Sequence, residues 1–282
     1  MRIAAVQCDV KIADRRVNLQ TVRRSLDQTL RRGAVLTVMP ECMLTGYAFE
    51  NRQKAIDAAV AIDDPLWMDV AKQIEDSPTP TAAVSLGTLL FDGDRLTNSA
   101  VLIDRTGIVG RYDKVHLPAL GVDQFVDRGT DDYRSWSLGD LNVGLAICYD
   151  CSFPEPMRVL GLAGVDVVAL GTNWPVAAER TAEVVPPARS MENHYYFVAA
   201  NRVGTEHGFT FCGRSSICGP DGVVLSMSGG DREEILYADI DVELARNKRI
   251  ERTAGAHVID RMADRRPERY ALIVQPSPPP RV

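Results

Sequence analysis

The chain begins with short apolar stretches that alternate with segments of helical periodicity. The first stretch, RIAAVQ, is typical of a buried strand. Apolar residues then recur at helical spacing from Leu19 to Leu30, and Gly33 supplies a helix stop. AVLTVMP follows as a second buried strand, and Asp64-Pro65 predicts the start of a helix that ends near Asp76. This alternation predicts an α/β architecture.

The middle and second half of the chain repeat the same rhythm. AAVSLGTLLF, SAVLID and GIVGRY read as strands, followed by the strand LNVGLAIC, the helix PEPMRVLGLAG and the strand VDVVALG. Residues 178–193 look helical, with a break predicted at Pro186-Pro187. YYFVAAN, TFCGRSSICG and VVLSMS read as strands, the last two joined by a turn at 219–222. One α/β domain with a mixed sheet system fits this pattern.

Composition narrows the classes of function. The 282 residues are 45% hydrophobic and 25% charged, with a net charge of −6, which disfavours a nucleic-acid partner. No apolar run approaches the roughly 18 residues that span a bilayer, and the N-terminus lacks an export signal. We therefore expect a cytoplasmic protein whose six cysteines are free thiols. The four histidines show no ligand spacing, so no metal site is expected.

Two charged residues follow apolar strands and are candidates for chemistry. Glu41 comes just after AVLTVMP, at a crowded strand end where burial would raise the pKa of its carboxyl group and suit it to general-base work. Lys114 comes just after GIVGRY and next to the apolar Val115 and Leu117, so we expect a desolvated head group that favours a thiolate and an oxyanion. Taken singly, a glutamate after a proline is more often a cap or a surface charge, and a lysine on a loop is ordinarily solvated.

Cys148 stands at the junction of a strand and a helix. Helix N–H groups there would depress the pKa of its thiol, and the next backbone N–H, that of Tyr149, could donate to an oxyanion. Cys148 and Cys151 also form a CxxC pair, the pattern of thiol–disulfide oxidoreductases. Those folds need only about a hundred residues and would leave Glu41 and Lys114 without a role. The position of Cys148 is therefore consistent both with a catalytic nucleophile and with one half of a redox-active cysteine pair.

Three motifs together resemble the nitrilase, or carbon–nitrogen hydrolase, superfamily. VMPECMLTGY resembles its glutamate motif, RYDKVHLP its lysine motif and ICYDCSFPEPMR its cysteine motif. The blocks VDVVALGTNWP, ARSMENHYYFVAANRVG, FCGRSSICGPDG and YADIDVELAR follow in matching order. The similarity runs from RIAAVQ to RRPERY, nearly the whole chain.

The resemblance implies an α-β-β-α sandwich that pairs into four-layered dimers, and hydrolysis through a thioester without metal or cofactor. It implies Glu41 as general base, Lys114 as oxyanion partner, Cys148 as nucleophile and the Tyr149 backbone N–H as oxyanion donor. The hydrolase domain is expected over residues 1–272, followed by an extended proline-rich tail over 273–282. The homodimer or a higher homo-oligomer is the expected assembly.

The chain departs from the family pattern at two places. Many members carry a second active-site glutamate after the lysine, where this chain offers only Asp123 as a possible auxiliary carboxylate. Nitrile-cleaving members usually follow the cysteine with Trp-Glu, and N-carbamoyl-D-amino-acid hydrolases with arginines, but here Tyr149-Asp150 and Cys151-Ser152 follow.

These departures favour a small neutral carboxamide as the substrate, with Asn173 and Trp174 expected to line its pocket. Burying a substrate carboxylate beside Asp150 without a cation would cost several kcal/mol. Arg189 and Glu192 are expected to form an ion pair near the site, with Tyr196 and Asn201 supporting the scaffold. Carbamoyl-amide or nitrile hydrolysis, acyl transfer, and a non-catalytic binding role remain alternatives.

Overall fold

The computed structural model describes residues 1–276. Its strands are, in chain order, β1 (Arg2–Asp9), β2 (Ala34–Val38), β3 (Ala83–Phe91), β4 (Leu96–Asp104), β5 (Gly107–Asp113), β6 (Ser135–Leu138), β7 (Leu141–Ile147), β8 (Val167–Gly171), β9 (Tyr196–Ala200), β10 (Arg202–Val203), β11 (Thr205–Glu206), β12 (Phe209–Thr210), β13 (Ser216–Cys218), β14 (Val224–Met227), β15 (Glu234–Asp239), β16 (Arg249–Thr253) and β17 (His257–Asp260). Its α-helices are α1 (Arg15–Arg31), α2 (Arg52–Ala58), α3 (Leu66–Glu75), α4 (Pro154–Leu162), α5 (Glu179–Asn193) and α6 (Val242–Arg246).

Most of the strands form two mixed sheets. The first sheet has the order β10-β1-β2-β3-β4-β5, and β15 also pairs with β1, antiparallel, from Arg2↔Asp239 to Gln7↔Glu234. The second has the order β14-β13-β9-β8-β7-β6. The strands β1, β2 and β3 run parallel to one another, as do β7, β8 and β9. The carboxyl ends of parallel neighbours gather at one sheet edge, which is where open α/β sheets bind ligands.

The two sheets pack face to face between outer layers of helices. Ile3, Leu36 and Leu102 of the first sheet share one buried cluster with Val143 and Val167 of the second. On its other face the first sheet is covered by α1 and α3, while α4 and α5 contact the second sheet's side of the molecule. The predicted α-β-β-α sandwich is therefore confirmed.

One local prediction about the helices is wrong. α5 runs without interruption through Pro186 and Pro187, where a break was expected. Its buried positions Ala182, Pro186 and Ser190 recur every four residues, so the helix keeps a continuous packed stripe. Burial of that stripe outweighs the hydrogen bonds that the two prolines cannot donate. The segment TFCGRSSICG also departs from its predicted single strand, since only 216–218 join the second sheet.

The described chain divides into two compact units, Met1–Arg246 and residues 247 onward. The second unit contains the hairpin β16–β17 and short 3-10 turns at Pro267–Arg269 and Ala271–Val274. The predicted boundary after residue 272 stays a prediction, and residues 277–282 of the predicted tail lie outside the described residues. No helix between residues 1 and 276 has the length and apolar character needed to cross a membrane.

Candidate active site

The loop that carries Glu41 is held close between the two sheets. Glu41 lies three residues after β2 ends. A Cβ atom at Gly87, on β3, would lie 2.3 Å from the Pro40 carbonyl oxygen, and one at Gly171, on β8, would lie 2.9 Å from the Met39 carbonyl oxygen. Both strands thus need glycine so that the loop can approach them. This close approach fixes the position of Glu41 relative to β3 and β8.

Glu41, Lys114 and Asp123 form a buried charged cluster. Lys114 Nζ lies 2.7 Å from Glu41 Oε1 and 2.6 Å from Asp123 Oδ2, and all three side chains are closed to solvent. Lys114 follows β5, and Asp123 belongs to the 3-10 helix Gly121–Gln124. The structure therefore brings the possible auxiliary carboxylate into direct contact with the predicted cation. A compact ammonium group can donate to both carboxylates at once.

Asn98, on β4, links the same two carboxylates. Its Nδ2 lies 2.7 Å from Glu41 Oε1 and 2.9 Å from Asp123 Oδ1. The Tyr47 hydroxyl lies 2.8 Å from Asp123 Oδ2, so ammonium, amide and phenol groups all reach Asp123. Glu41 differs, because its Oε2 is buried and has no hydrogen-bond partner among residues 1–276. One oxygen of Glu41 is therefore free to accept a proton.

Burial governs the protonation of Glu41 and Lys114. Burial raises the pKa of Glu41, and the Asp123 charge raises it further against the opposing effect of Lys114. This direction is the one expected from the sequence. Burial alone would lower the pKa of Lys114, but the carboxylates of Glu41 and Asp123 hold it well above its ordinary value. Lys114 is therefore an ion-paired ammonium, and its head group is closed to solvent, which confirms the predicted desolvation.

Cys148 sits at a sharp turn between β7 and the 3-10 helix Cys148–Ser152. Its φ is 44°, a left-handed backbone conformation that is uncommon for a residue with a side chain. Burial raises the pKa of its thiol well above the usual range, and the nearby Glu41 charge adds to this despite Lys114. The expected depression of the Cys148 pKa is thus wrong. A five-residue 3-10 helix cannot offset the loss of solvation, so the thiol needs a base.

The remaining predicted site residues flank Cys148 in different ways. Tyr149 has a half-exposed ring in edge contact with Phe153, with ring centroids 5.0 Å apart. As the second residue of its helix, Tyr149 has a backbone N–H with no acceptor inside that helix. Asn173 and Trp174 follow β8 and are both buried, and the Asn173 backbone N–H contacts the Cys148 sulfur.

The side chains of Asn173 and Trp174 differ in their environment. Trp174 is fixed through its backbone N–H, which donates to Asn201 Oδ1 at 2.9 Å. Both side-chain polar atoms of Asn173 are buried without a hydrogen-bond partner in the described part of the chain. Buried amide groups are rarely left in this state unless something else binds them.

Asp150 was expected to lie beside the substrate, but it is fully buried in a network of its own. Its fully buried carboxylate accepts from the Ile147 backbone N–H at 3.0 Å and lies 2.8 Å from both Tyr112 Oη and His116 Nδ1. It thereby ties the turn at Cys148 to the loop that follows Lys114. Asp150 has a structural role because each of its oxygens is occupied by these groups.

The residues after Asp150 are held by α5. Arg189 Nε donates to the Cys151 carbonyl oxygen at 2.8 Å, and Arg189 forms the predicted ion pair with Glu192 at 3.0 Å. Burial raises the pKa of Cys151 to about 12, and this thiol has no exposed surface. Thiol exchange requires an accessible thiolate. The CxxC interpretation therefore loses its chemical basis.

Asn98 and Tyr47 are site residues that sequence reasoning missed. Asn98 stands between the polar residues Thr97 and Ser99 at the start of β4, ahead of the apolar run that predicts this strand, so no pattern in the sequence singles it out. Tyr47 carried no signal, because only the fold brings its loop against residues 120–123. Within residues 1–276 no group of three or more histidine, cysteine or acidic side chains is arranged to hold a metal ion. The expected lack of a metal and a cofactor stays a prediction.

The chain is similar to known proteins over most of its length. The family model described as carbon-nitrogen hydrolase matches residues 2–250. A protein of Pyrococcus abyssi named nitrilase is 36% identical over 274 residues, covering 96% of this chain and 99% of its own. A Pseudomonas protegens protein named as a hydrolase in the pqqF 5' region is 31% identical over 281 residues, with 96% and 90% covered. An amidase structure from Nesterenkonia sp. has a TM-score of 0.78 at 24% identity, covering 97% of this chain and all of that one, which shows the shared fold.

Proposed function

The chain belongs to the carbon–nitrogen hydrolase family, and we propose that it hydrolyses a small neutral carboxamide through a thioester on Cys148. The observation that carries this proposal is the environment of Glu41. One of its oxygens is bound by Lys114 and Asn98, while Oε2 is buried and has no partner within residues 1–276. A carboxylate with a raised pKa and a free oxygen, next to a thiol that is protonated at rest, is suited to general-base catalysis.

The proposed reaction begins with attack of the Cys148 sulfur on the amide carbonyl carbon while Glu41 takes the thiol proton. The C–N bond then breaks, and Glu41 returns the proton to the nitrogen, which leaves as ammonia. Water attacks the thioester carbon as Glu41 accepts a proton from it. The C–S bond breaks, and that proton restores the Cys148 thiol as the acid leaves.

Two donors stabilise the oxyanion in this proposal. The Lys114 ammonium carries a full charge and is held by Glu41 and Asp123 before substrate arrives. The Tyr149 backbone N–H follows the nucleophile in the turn, where a residue after a nucleophile often supplies such a donor. Removing one donor of this kind from comparable sites costs about 3–4 kcal/mol. Because both donors are fixed, they need little reorganisation during the reaction.

Asp123 serves in this proposal as the permanent counter-ion of Lys114. Ammonium, amide and phenol groups surround it, whereas Glu41 meets donors on one oxygen only. Both oxygens of Asp123 are thus engaged by donors, whereas Oε2 of Glu41 has no partner within residues 1–276. Glu41 is then the carboxylate that gains and loses the proton.

The substrate proposal rests on Asn173 and on the positions of nearby cations. The buried, unpartnered amide of Asn173 is suited to pair with a polar group of a bound substrate, and Trp174 beside it offers an apolar wall. Arg189 donates to the carbonyl oxygens of Cys151 and Ser152 and pairs with Glu192. It is therefore not free to pair with a substrate carboxylate, which disfavours N-carbamoyl amino acids.

Nitrile hydrolysis is the second candidate. It is favoured by the name of the Pyrococcus abyssi relative, while the named Nesterenkonia structure is an amidase. The deciding measurement is kcat/KM for the amide, nitrile and N-carbamoyl derivatives of one acyl group, with ammonia as the readout. We expect the amide to be preferred by at least about tenfold, or roughly 1.4 kcal/mol. A nitrile preference would transfer the proposal to the second candidate.

The covalent step is tested on the cysteines. Intact-protein mass spectrometry with a slow amide should show one acyl adduct, which peptide mapping assigns to Cys148. The Cys148→Ala variant should form no adduct. The matched control Cys151→Ser should retain most activity, because the Cys151 thiol is fully buried and takes no part in the proposed reaction. Activity that required both thiols would exclude this mechanism. Binding without turnover would indicate a non-catalytic protein.

A homodimer in the cytoplasm completes the proposal. Both α4 and α5 carry exposed apolar side chains on the outer layer of the second sheet, among them Leu162 and Val184. Exposed apolar patches of this kind often mark interfaces. The compartment stays a prediction from the sequence, and fractionation of cells that express the protein would check it.

A further inference from the structure

Asn98 brings a single amide group against both buried carboxylates of the site. Its Nδ2 lies 2.7 Å from Glu41 Oε1 and 2.9 Å from Asp123 Oδ1, so each of its two N–H bonds meets a different carboxylate. Only a primary amide offers two protons from one uncharged atom at this position. A carboxylate in its place would put a third negative group among closed side chains, and a hydroxyl could satisfy only one partner.

The orientation of this amide is fixed from its other end. Asn98 Oδ1 lies 3.5 Å from Cys42 Sγ, and Cys42 directly follows Glu41. A rotated amide would place Oδ1 against oxygens of Glu41 and Asp123, which is electrostatically unfavourable. The Cys42 thiol can donate to Oδ1 only in the observed orientation. The amide is thus held with both protons toward the carboxylates.

The main chain of Asn98 also positions the lysine. The Lys114 backbone N–H donates to the Asn98 carbonyl oxygen at 2.8 Å. Asn98 lies within β4, which pairs with β3 on one side and β5 on the other. One residue near the start of β4 therefore contacts the base through its side chain and holds the backbone of Lys114 through its own carbonyl oxygen.

We propose that Asn98 is a positioning residue that clamps Oε1 of Glu41 and so presents Oε2 to the reacting thiol. This inference rests on the proposed function. Lys114 alone is a point charge about which a carboxylate can pivot, and it is shared with Asp123. The second donor from Asn98, at a fixed angle, prevents the two oxygens of Glu41 from exchanging places. Oε2 then remains unpartnered in the resting site.

The clamp also affects how readily Glu41 loses its proton. The hydrogen bond from Asn98 lowers the pKa of Glu41 against the stronger opposing effect of burial. Loss of this donor should therefore move the acid limb of the pH–rate profile to higher pH. The other titratable groups that act on Glu41 or are affected by it are Cys42, Tyr47, Lys114, Asp123 and Cys148.

The test compares Asn98→Ala and Asn98→Ser with the control Asn18→Ala. Asn18 is also a buried asparagine, but its amide donates to the backbone carbonyls of Lys11 and Leu44. We expect both Asn98 variants to lose at least about tenfold in kcat with little change in KM, and the acid limb of their pH–rate profiles to move to higher pH. The control should lose thermal stability with its acid limb in place.

The outcomes separate this inference from the proposed function. Asn98 variants whose acid limb and kcat match those of the Asn18 control would overturn the positioning role while the wild-type acyl adduct still stands. If the wild-type protein forms no adduct on Cys148, the proposed function itself fails. Thermal melts establish folding, and Asn98→Ser decides the matter if Asn98→Ala does not fold. The rate of Cys148 alkylation by iodoacetamide against pH should show the same shift of the acid limb.

Discussion

Two carboxylates share one cation in this site, and they differ in how many of their oxygens meet a donor. Three donors reach Asp123, while Glu41 keeps Oε2 free among the described residues. Repulsion from Asp123 helps to raise the pKa of Glu41. The role of Asp123, the possible auxiliary carboxylate, can therefore be read from its effect on Glu41.

We expect Asp123→Asn to lower kcat by about tenfold, less than Glu41→Gln, because the base remains but Lys114 loses a counter-ion. Removing a negative neighbour should also lower the pKa of Glu41 and move the acid limb to lower pH, opposite to the shift expected for Asn98→Ala. The measurement is kcat against pH for both variants. Equal collapse of Asp123→Asn and Glu41→Gln would mean that the essential base has been misassigned.

The wild-type pH profile is a separate prediction. Glu41 must be ionised to accept the thiol proton, so activity should fall as pH decreases through its raised pKa, at a pH above the usual glutamate value of about 4.3. Lys114 and Cys148 both have pKa values well above their ordinary ones, so no loss is expected between about pH 7 and 9. The measurement is kcat/KM, which reports the free enzyme. A decline within that alkaline range would contradict the assigned protonation states.

At the scale of elements, the position of the base depends on how closely its loop approaches β3. A Cβ atom at Gly87 would lie 2.3 Å from the Pro40 carbonyl oxygen and 2.7 Å from Glu41 Cα. Gly87→Ala should therefore displace the loop and reduce kcat by at least about tenfold, since small misplacements of a catalytic group are costly. Gly229→Ala is the control, because nothing lies within 4 Å of its Cβ position. Unchanged kcat in Gly87→Ala would show that the loop is not held by this contact.

The sequence could predict that the catalytic candidates lie at strand ends, but not how deeply their side chains are buried. Glu41, Lys114 and Cys148 each follow an apolar strand, so their placement near the strand ends was recoverable from local pattern. The raised pKa of Cys148 was not recoverable, because it arises from residues distant in sequence that exclude solvent. The continuity of α5 through Pro186 could not be predicted either, because it depends on how the helix packs against the sheet.

At the scale of the whole molecule, the proposed dimer interface lies on the helices that follow the nucleophile in the chain. α4 begins two residues after the 3-10 helix that starts at Cys148, and α5 holds the Cys151 carbonyl through Arg189. A partner that covers the exposed side of α4 and α5 would therefore stabilise the turn at Cys148. This connection predicts that dissociation lowers activity as well as changing mass.

The test places a charge on each helix in turn. Leu162 on α4 and Val184 on α5 are 49% and 42% exposed, and Met68 on α3, at the outer face of the other sheet, is 58% exposed. We expect Leu162→Lys and Val184→Lys to shift the protein from dimer toward monomer in light scattering, because a buried unpaired ammonium is costly. Their activity should fall on dilution, while Met68→Lys should match the wild type in both mass and activity. A wild-type protein that is monomeric at micromolar concentration, or variants that remain dimers, would exclude α4 and α5 as the interface.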